Sequence, residues 1–278
     1  MNNLFNNDFK FKKRFGQNFL KDKNILSKII KESHFEKDSL VLEIGCGCGY
    51  LTEVLVENGY NVLGYEVDKT LTEVLKEKEN KNFKVIIDDF LNRNITEDIK
   101  DYCFNKIYAI GNIPYYITTP IIEKLINSGI NFNSIILMVQ KEVAERITSL
   151  PNNKNYGSLT VYLNYNYDIK NIMNVDKKSF FPVPKVDSSV IMFCSKEKIK
   201  VLDELHFYRI IRKSFSQKRK TLKNNLKEYN FDFIKEILNK YGFDDKVRAE
   251  QIPINLFAEI SNYLITKNCW FILFVGVY

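Results

Sequence analysis

Five short apolar runs, at residues 40–44, 61–66, 83–87, 106–110 and 134–140, recur through the first half of the chain. Each has the length and near-continuous hydrophobicity of a strand buried on both faces. Helical periodicity follows three of them, through residues 51–56, 121–126 and 141–147. An earlier helix is expected through Ile25, Leu26, Ile29 and Ile30, with Asp22 as its cap. Alternating strands and helices of this kind predict an α/β fold on an open, mainly parallel sheet. Further on, the alternation of apolar with polar or aromatic side chains over residues 158–167 predicts strand, and another strand pair is expected to bracket the loop at 179–187. Pro182 and Pro184 keep that loop out of any central strand. Beyond about residue 200 only helical spacing remains, carried by Phe207, Ile210, Ile211 and Phe215, then Phe233, Ile234, Ile237 and Leu238.

The carboxyl ends of the predicted strands carry the chemistry, where open α/β sheets place their ligands. The first strand runs into Gly45-Cys46-Gly47-Cys48-Gly49, whose glycines let backbone approach a bound group closely. A dinucleotide loop needs G-x-G-x-x-G, but Tyr50 stands where its third glycine would, and the third glycine comes one residue early, which disfavours a nicotinamide enzyme. The G-x-G-x-G spacing instead resembles the cofactor loop of S-adenosylmethionine-dependent methyltransferases. The second strand ends on Glu66, an acid placed to accept from both ribose hydroxyls of a nucleoside. The third ends at Asp88-Asp89, where Asp89 is a candidate acceptor for an adenine amino group. The fourth ends in Gly111-Asn112-Ile113-Pro114-Tyr115-Tyr116. There an Asn side-chain oxygen and a neighbouring backbone carbonyl suit the two hydrogens of an exocyclic NH2, with an aromatic ring to stack on its base.

Composition narrows the partners. Lys+Arg 41 against Asp+Glu 34 gives a formal charge of +7, which favours a polyanion. Bases cluster twice: Lys12, Lys13 and Arg14 lie among phenylalanines at 9–19, and Lys218, Arg219, Lys220 and Lys223 lie in a helical context. Five cysteines without framework spacing and two histidines predict a reducing, cytoplasmic setting and no metal. The amino terminus lacks the apolar core of a signal peptide, and the apolar end at 269–278 is too short to span a bilayer, so no membrane is expected.

Together FGQNFL, EIGCGCGYLT, GNIPYYITTP, MVQKEVAERI, YGSLTV, FFPVPKVDSSV, FSQKRKTLKNNL and RAEQI resemble the KsgA family of small-subunit rRNA adenine N6-dimethyltransferases, over roughly residues 10–265. The resemblance implies a Rossmann-like domain over 1–200 with a mainly parallel seven-stranded sheet, its residues 1–20 a basic arm, and a helical RNA-binding domain over 201–278. It implies S-adenosylmethionine held by Asn18, Leu20, Gly45, Gly47, Glu66, Asp89 and Asn112. It implies catalysis by Asn112 with the carbonyl of Ile113 or Pro114, and base stacking by Tyr115 and Phe180. The expected partner is 16S rRNA in the small subunit, bound by a monomer with a role in subunit biogenesis. An Erm-type enzyme acting on large-subunit rRNA and a non-catalytic ribosome-assembly factor are the alternatives. The family usually has proline where Cys46 stands and asparagine where Tyr116 stands. It has no counterpart to the apolar tail after Asn268, for which an extra strand, a disordered end or a sequence artefact were the expectations.

Overall fold

The computed structural model describes residues 18–275, with side chains through residue 267. The described chain starts with β1 (Phe19–Leu20) and turns at Asp22 into α1 (Lys23–Ser33); the Asp22 carboxylate accepts from the N–H groups of Asn24 and Ile25, the cap expected from sequence. Five strand–helix units follow in order: β2 (Leu40–Ile44) and α2 (Tyr50–Glu57), β3 (Asn61–Glu66) and α3 (Thr72–Lys76), β4 (Phe83–Ile87) and α4 (Ile95–Ile99), β5 (Ile107–Asn112) and α5 (Thr118–Asn127), β6 (Ser134–Gln140) and α6 (Lys141–Ile147). After α7 (Ser158–Asn166) come β7 (Tyr167–Val175), β8 (Phe180–Phe181) and β9 (Ser188–Ser195). The remainder is helical: α8 (Glu204–Ser214), α9 (Leu222–Asn225), α10 (Phe231–Lys240) and α11 (Ile254–Val275).

One sheet of seven strands runs in the order β4-β3-β2-β5-β6-β9-β7. The pairs from β4 to β6 are all parallel, and β9 is antiparallel to β6. The expected mainly parallel α/β sheet is therefore present. Every residue of β2 is buried, as a strand covered on both faces requires. Connections leave β2 toward β3 on one side and reach β5 on the other, so the loops at these two carboxyl ends diverge and open a crevice.

The chain separates into two compact units, one running to Ala144 and resuming at Lys170–Ser195, the other formed by Glu145–Ile169 and the chain from Lys196 onward. Residues 145–169, assigned by sequence to the first domain, thus group with the helical unit. Val161 and Tyr165 of α7 share a buried cluster with Phe207, Ile211 and Phe257. The alternating pattern at 158–167 is correspondingly a helix and not a strand. Thr160, Val161, Leu163, Tyr165 and Asn166 are all buried, so burial around most of the helix blurs the 3.6-residue period. Asn164 and Asn166 return their amide hydrogens to the carbonyls of Thr160 and Tyr162, one turn back, at 2.8 Å each. The tail after Asn268 continues the α11 backbone as helix to Val275. Among the described residues no helix is long and apolar enough to cross a membrane.

Candidate active site

The crevice is lined by residues from β1 and from the carboxyl ends of β2, β3, β4 and β5, and holds about 1060 Å³ of empty space with its mouth included. Asn18, Leu20, Gly45, Gly47, Glu66, Asp89, Asn112, Ile113, Pro114 and Tyr115 all line it. Ten of the positions singled out by sequence therefore converge on one pocket, although they span nearly a hundred residues of chain.

The glycine loop forms one wall. Gly45, Gly47 and Gly49 have φ of 79°, 55° and 81°, the left-handed region that side chains disfavour. A Cβ on Gly47 would also stand 2.7 Å from the Phe19 ring, so glycine is needed there twice over. The Gly45 and Cys46 N–H groups both donate to the Tyr65 carbonyl, at 2.8 and 3.2 Å. A proline at position 46 has no N–H to give. The cysteine thus adds a backbone bond to β3 that a proline there could not make. Its thiol packs beneath the Glu43 carbonyl at 3.9 Å, and burial with the nearby Glu43 and Glu66 carboxyls pushes its pKa up.

Glu66 ends β3 buried, its two oxygens accepting from Gly47 N–H at 2.7 Å and Asp68 N–H at 2.8 Å. Burial raises its pKa, and those same backbone donors oppose the rise. Asp89 lines the pocket while its Oδ1 accepts from Leu91 N–H at 2.9 Å, capping its own turn. Asn112 ends β5, where its Nδ2 donates to the Asn18 carbonyl at 3.0 Å. Tyr115 follows, its hydroxyl 2.7 Å from Ser188 Oγ and its pKa raised by burial. Tyr116 lines the pocket mouth with 64% of its surface exposed.

Sequence reading missed Glu43. It is 1% exposed yet lines the pocket, Thr52 Oγ1 donates to its Oε2 at 2.6 Å, and its Oε1 has no hydrogen-bond partner among the described residues. Burial, reinforced by the Glu66 charge, pushes its pKa up to about 8 against the Thr52 bond, so the carboxyl is largely neutral at pH 7. The signal was present in the sequence: one acid inside the otherwise apolar run 40–44. Phe180 departs from expectation in the other direction. It is 2% exposed, pairs with Leu20 across β1 and β8, and is absent from the pocket lining. In this conformation its ring fills core and offers no face to a base.

The profile of the family described as ribosomal RNA adenine dimethylase matches residues 8–266. The chain belongs to that family. A protein named ribosomal RNA small subunit methyltransferase A from Clostridium botulinum is 41% identical over 92% of this chain and 94% of its own. One of the same name from Oceanobacillus iheyensis is 39% identical over 91% and 90%. Among solved structures, a dimethyladenosine transferase from Plasmodium falciparum superposes with TM-score 0.73 at 27% identity, over 90% of this chain and 98% of that one. The 23S rRNA methyltransferase ErmE gives TM-score 0.71 at 23% identity, covering 89% and 100%, a likeness of fold alone.

This adenine dimethylase presents its second group of bases on the helical unit. Lys218, Arg219 and Lys220 are exposed on the turn between α8 and α9, and among the described residues none of them forms an ion pair. Asn225 pins that turn from beneath, donating to the carbonyls of Ser214 at 2.6 Å and Gln217 at 3.2 Å. Lys223 differs: its Nζ pairs with Asp245 at 3.6 Å and sits 5.5 Å from the Phe231 ring centre, so its charge is partly neutralised within the unit. Lys12, Lys13 and Arg14 lie outside the described residues.

Proposed function

We propose that this protein transfers methyl groups to the N6 amino groups of two adjacent adenosines near the 3′ end of 16S rRNA in the small ribosomal subunit, twice per base, with S-adenosylmethionine as donor. Family membership and two relatives named for the small subunit, alike over nine-tenths of both chains, support the substrate class. The residues fit the donor: three left-handed glycines bare the loop backbone, and a buried carboxyl oxygen at Glu43 lacks a partner among the described residues. Asn18, Leu20, Gly45, Gly47, Glu66, Asp89 and Asn112 would hold it. When bound, it supplies an electrophilic methyl group.

The observation that carries the reading is the tether on Asn112. Its amide nitrogen donates to the Asn18 carbonyl, which fixes the amide orientation and leaves Oδ1 as the atom able to accept an N–H. The N6 lone pair of adenine is delocalised into its ring. Accepting one N6 hydrogen at Asn112 Oδ1 and the other at a backbone carbonyl favours a pyramidal nitrogen with its lone pair directed outward. Of the two carbonyls expected for this, that of Pro114 already accepts from Ile117 N–H at 3.1 Å, which favours Ile113. Tyr115, held through its hydroxyl by Ser188, supplies the ring for stacking; Phe180 would join it only after leaving the core. Catalysis rests on positioning and electrostatics and needs no strong base. The target base must leave its stack to reach such a pocket. Lys218, Arg219 and Lys220 supply phosphate contacts from the helical unit.

The test is methyl transfer from labelled S-adenosylmethionine to small subunits lacking the dimethyl marks and, in parallel, to unmodified large-subunit rRNA, with products resolved by mass. N6,N6-dimethyladenosine on small subunits alone is expected. Transfer to large-subunit rRNA, or to neither, overturns the proposal.

A further inference from the structure

β8 is two phenylalanines long, and its residues face opposite ways, as adjacent strand positions must. Phe180 is 2% exposed and Phe181 50%. A single exposed phenylalanine needs no explanation. Here, however, three of the nine large hydrophobic side chains exposed among the described residues, Phe181, Val183 and Val186, fall within six positions. Lysines flank them along the chain, Lys177, Lys178 and Lys185 all exposed, and the Lys21 ammonium lies 5.0 Å from the centre of the Phe181 ring. The two acids of this segment are occupied locally. Asp176 accepts from Lys178 N–H at 2.7 Å, and Asp187 accepts from Lys177 N–H at 3.1 Å. The patch also adjoins the pocket, because Phe181 pairs with Phe19 across β1 and β8, and Phe19 lines the pocket.

An exposed aromatic ring set among ammonium groups suits a single-stranded nucleic acid, whose phosphates take the charge and whose bases take the ring. It does not suit the target adenine itself, since Phe181 is not part of the pocket lining. We propose that the outward face of the β8 segment, with Phe181 at its centre and Lys21, Lys177, Lys178 and Lys185 around it, binds the RNA strand beside the target adenosine, Phe181 stacking on a flanking nucleotide. The inference rests on the function proposed above. It gives the catalytic unit an RNA contact of its own, separate from the basic turn of the helical unit, and separate from the residues that hold the donor.

Stacking of this kind is tolerant of base identity, so the contact sets affinity for the strand and leaves the chemical step alone. The experiment compares Phe181→Leu, Phe181→Trp and Lys21→Gln with the unaltered protein, using unmodified small ribosomal subunits as substrate and calorimetry for S-adenosylmethionine. For Phe181→Leu, KM for the subunit is expected to rise about tenfold, with kcat and donor affinity within twofold of the original. Phe181→Trp should restore KM, and Lys21→Gln should raise it less than Phe181→Leu does. An unchanged KM in Phe181→Leu, or a parallel loss of donor affinity that marks a packing defect, overturns the inference while leaving the proposed function in place. Failure of the unaltered protein to methylate small subunits overturns the proposed function itself, and this inference with it.

Discussion

At the end of β3 the Glu66 carboxylate is buried, with a backbone N–H on each oxygen, whereas Lys218, Arg219 and Lys220 stand in solvent on a turn of the helical unit. The two regions use charge differently. In the pocket, Glu43, Glu66 and the Asn112 amide are held by Thr52, Gly47, Asp68 and Asn18 before anything binds. Glu43 and Glu66 are buried, 1% and 6% exposed, so these carboxyls act strongly and at short range. On the turn, the backbone is pinned by Asn225 but the charged ends are not, and solvent and salt screen each of them. The pocket should therefore respond to single substitutions and be insensitive to salt. The turn should respond to groups of substitutions and be sensitive to salt.

The strongest way to break this contrast is Asn112→Ala. It removes the acceptor for N6 and the tether to Asn18 together, and kcat is expected to fall by about 10²–10³, with donor affinity changed only a few-fold. Single-turnover methyl transfer beside equilibrium donor binding separates the two effects. Retained turnover would refute the role given to Asn112.

How far the sequence reveals such a site depends on the kind of residue. Each strand end was legible because a run of apolar residues stopping at glycine, Glu66, Asp89 or Asn112 is a local signal, and the parallel sheet then brings these ends together. Phe180 and Phe181 were not separable in this way. Which of two adjacent rings turns inward is set by the pairing of β8 with β1, a contact more than 150 residues apart in sequence. The α7 helix was misread for a similar reason, since burial by the other helices of its unit erased the periodicity that marks an exposed face. Glu43 was visible as a polar residue in an apolar run, but its neutral state follows from burial beside Glu66, which only the folded chain supplies.

The turn is probed by replacing Lys218, Arg219 and Lys220 with glutamine together. Binding to small subunits should weaken, and the slope of log affinity against log salt should become shallower by about 2, with kcat at saturating subunit unchanged. Adding Lys223→Gln should change the slope little further, because that lysine already faces Asp245 and the Phe231 ring. A salt slope equal to that of the unaltered protein would move the phosphate contacts elsewhere.

The smallest expected effect sharpens the contrast from the pocket side, through Glu43. Its folded pKa, near 8, lies above the ordinary glutamate value of 4.5, so the folded state prefers the proton. The stability this contributes is fully present below about pH 4.5 and is lost as pH rises through about 8. Other carboxylates impose their own dependence, so the informative quantity is the difference between the unaltered protein and Glu43→Gln, a neutral side chain of the same shape that still accepts from Thr52. The two melting curves should nearly coincide at pH 5 and separate by pH 8, with the glutamine variant more stable by several degrees. Parallel curves across that range would mean that Glu43 is ionised when folded, and that a charge in this pocket is tolerated where no donor among the described residues reaches its Oε1.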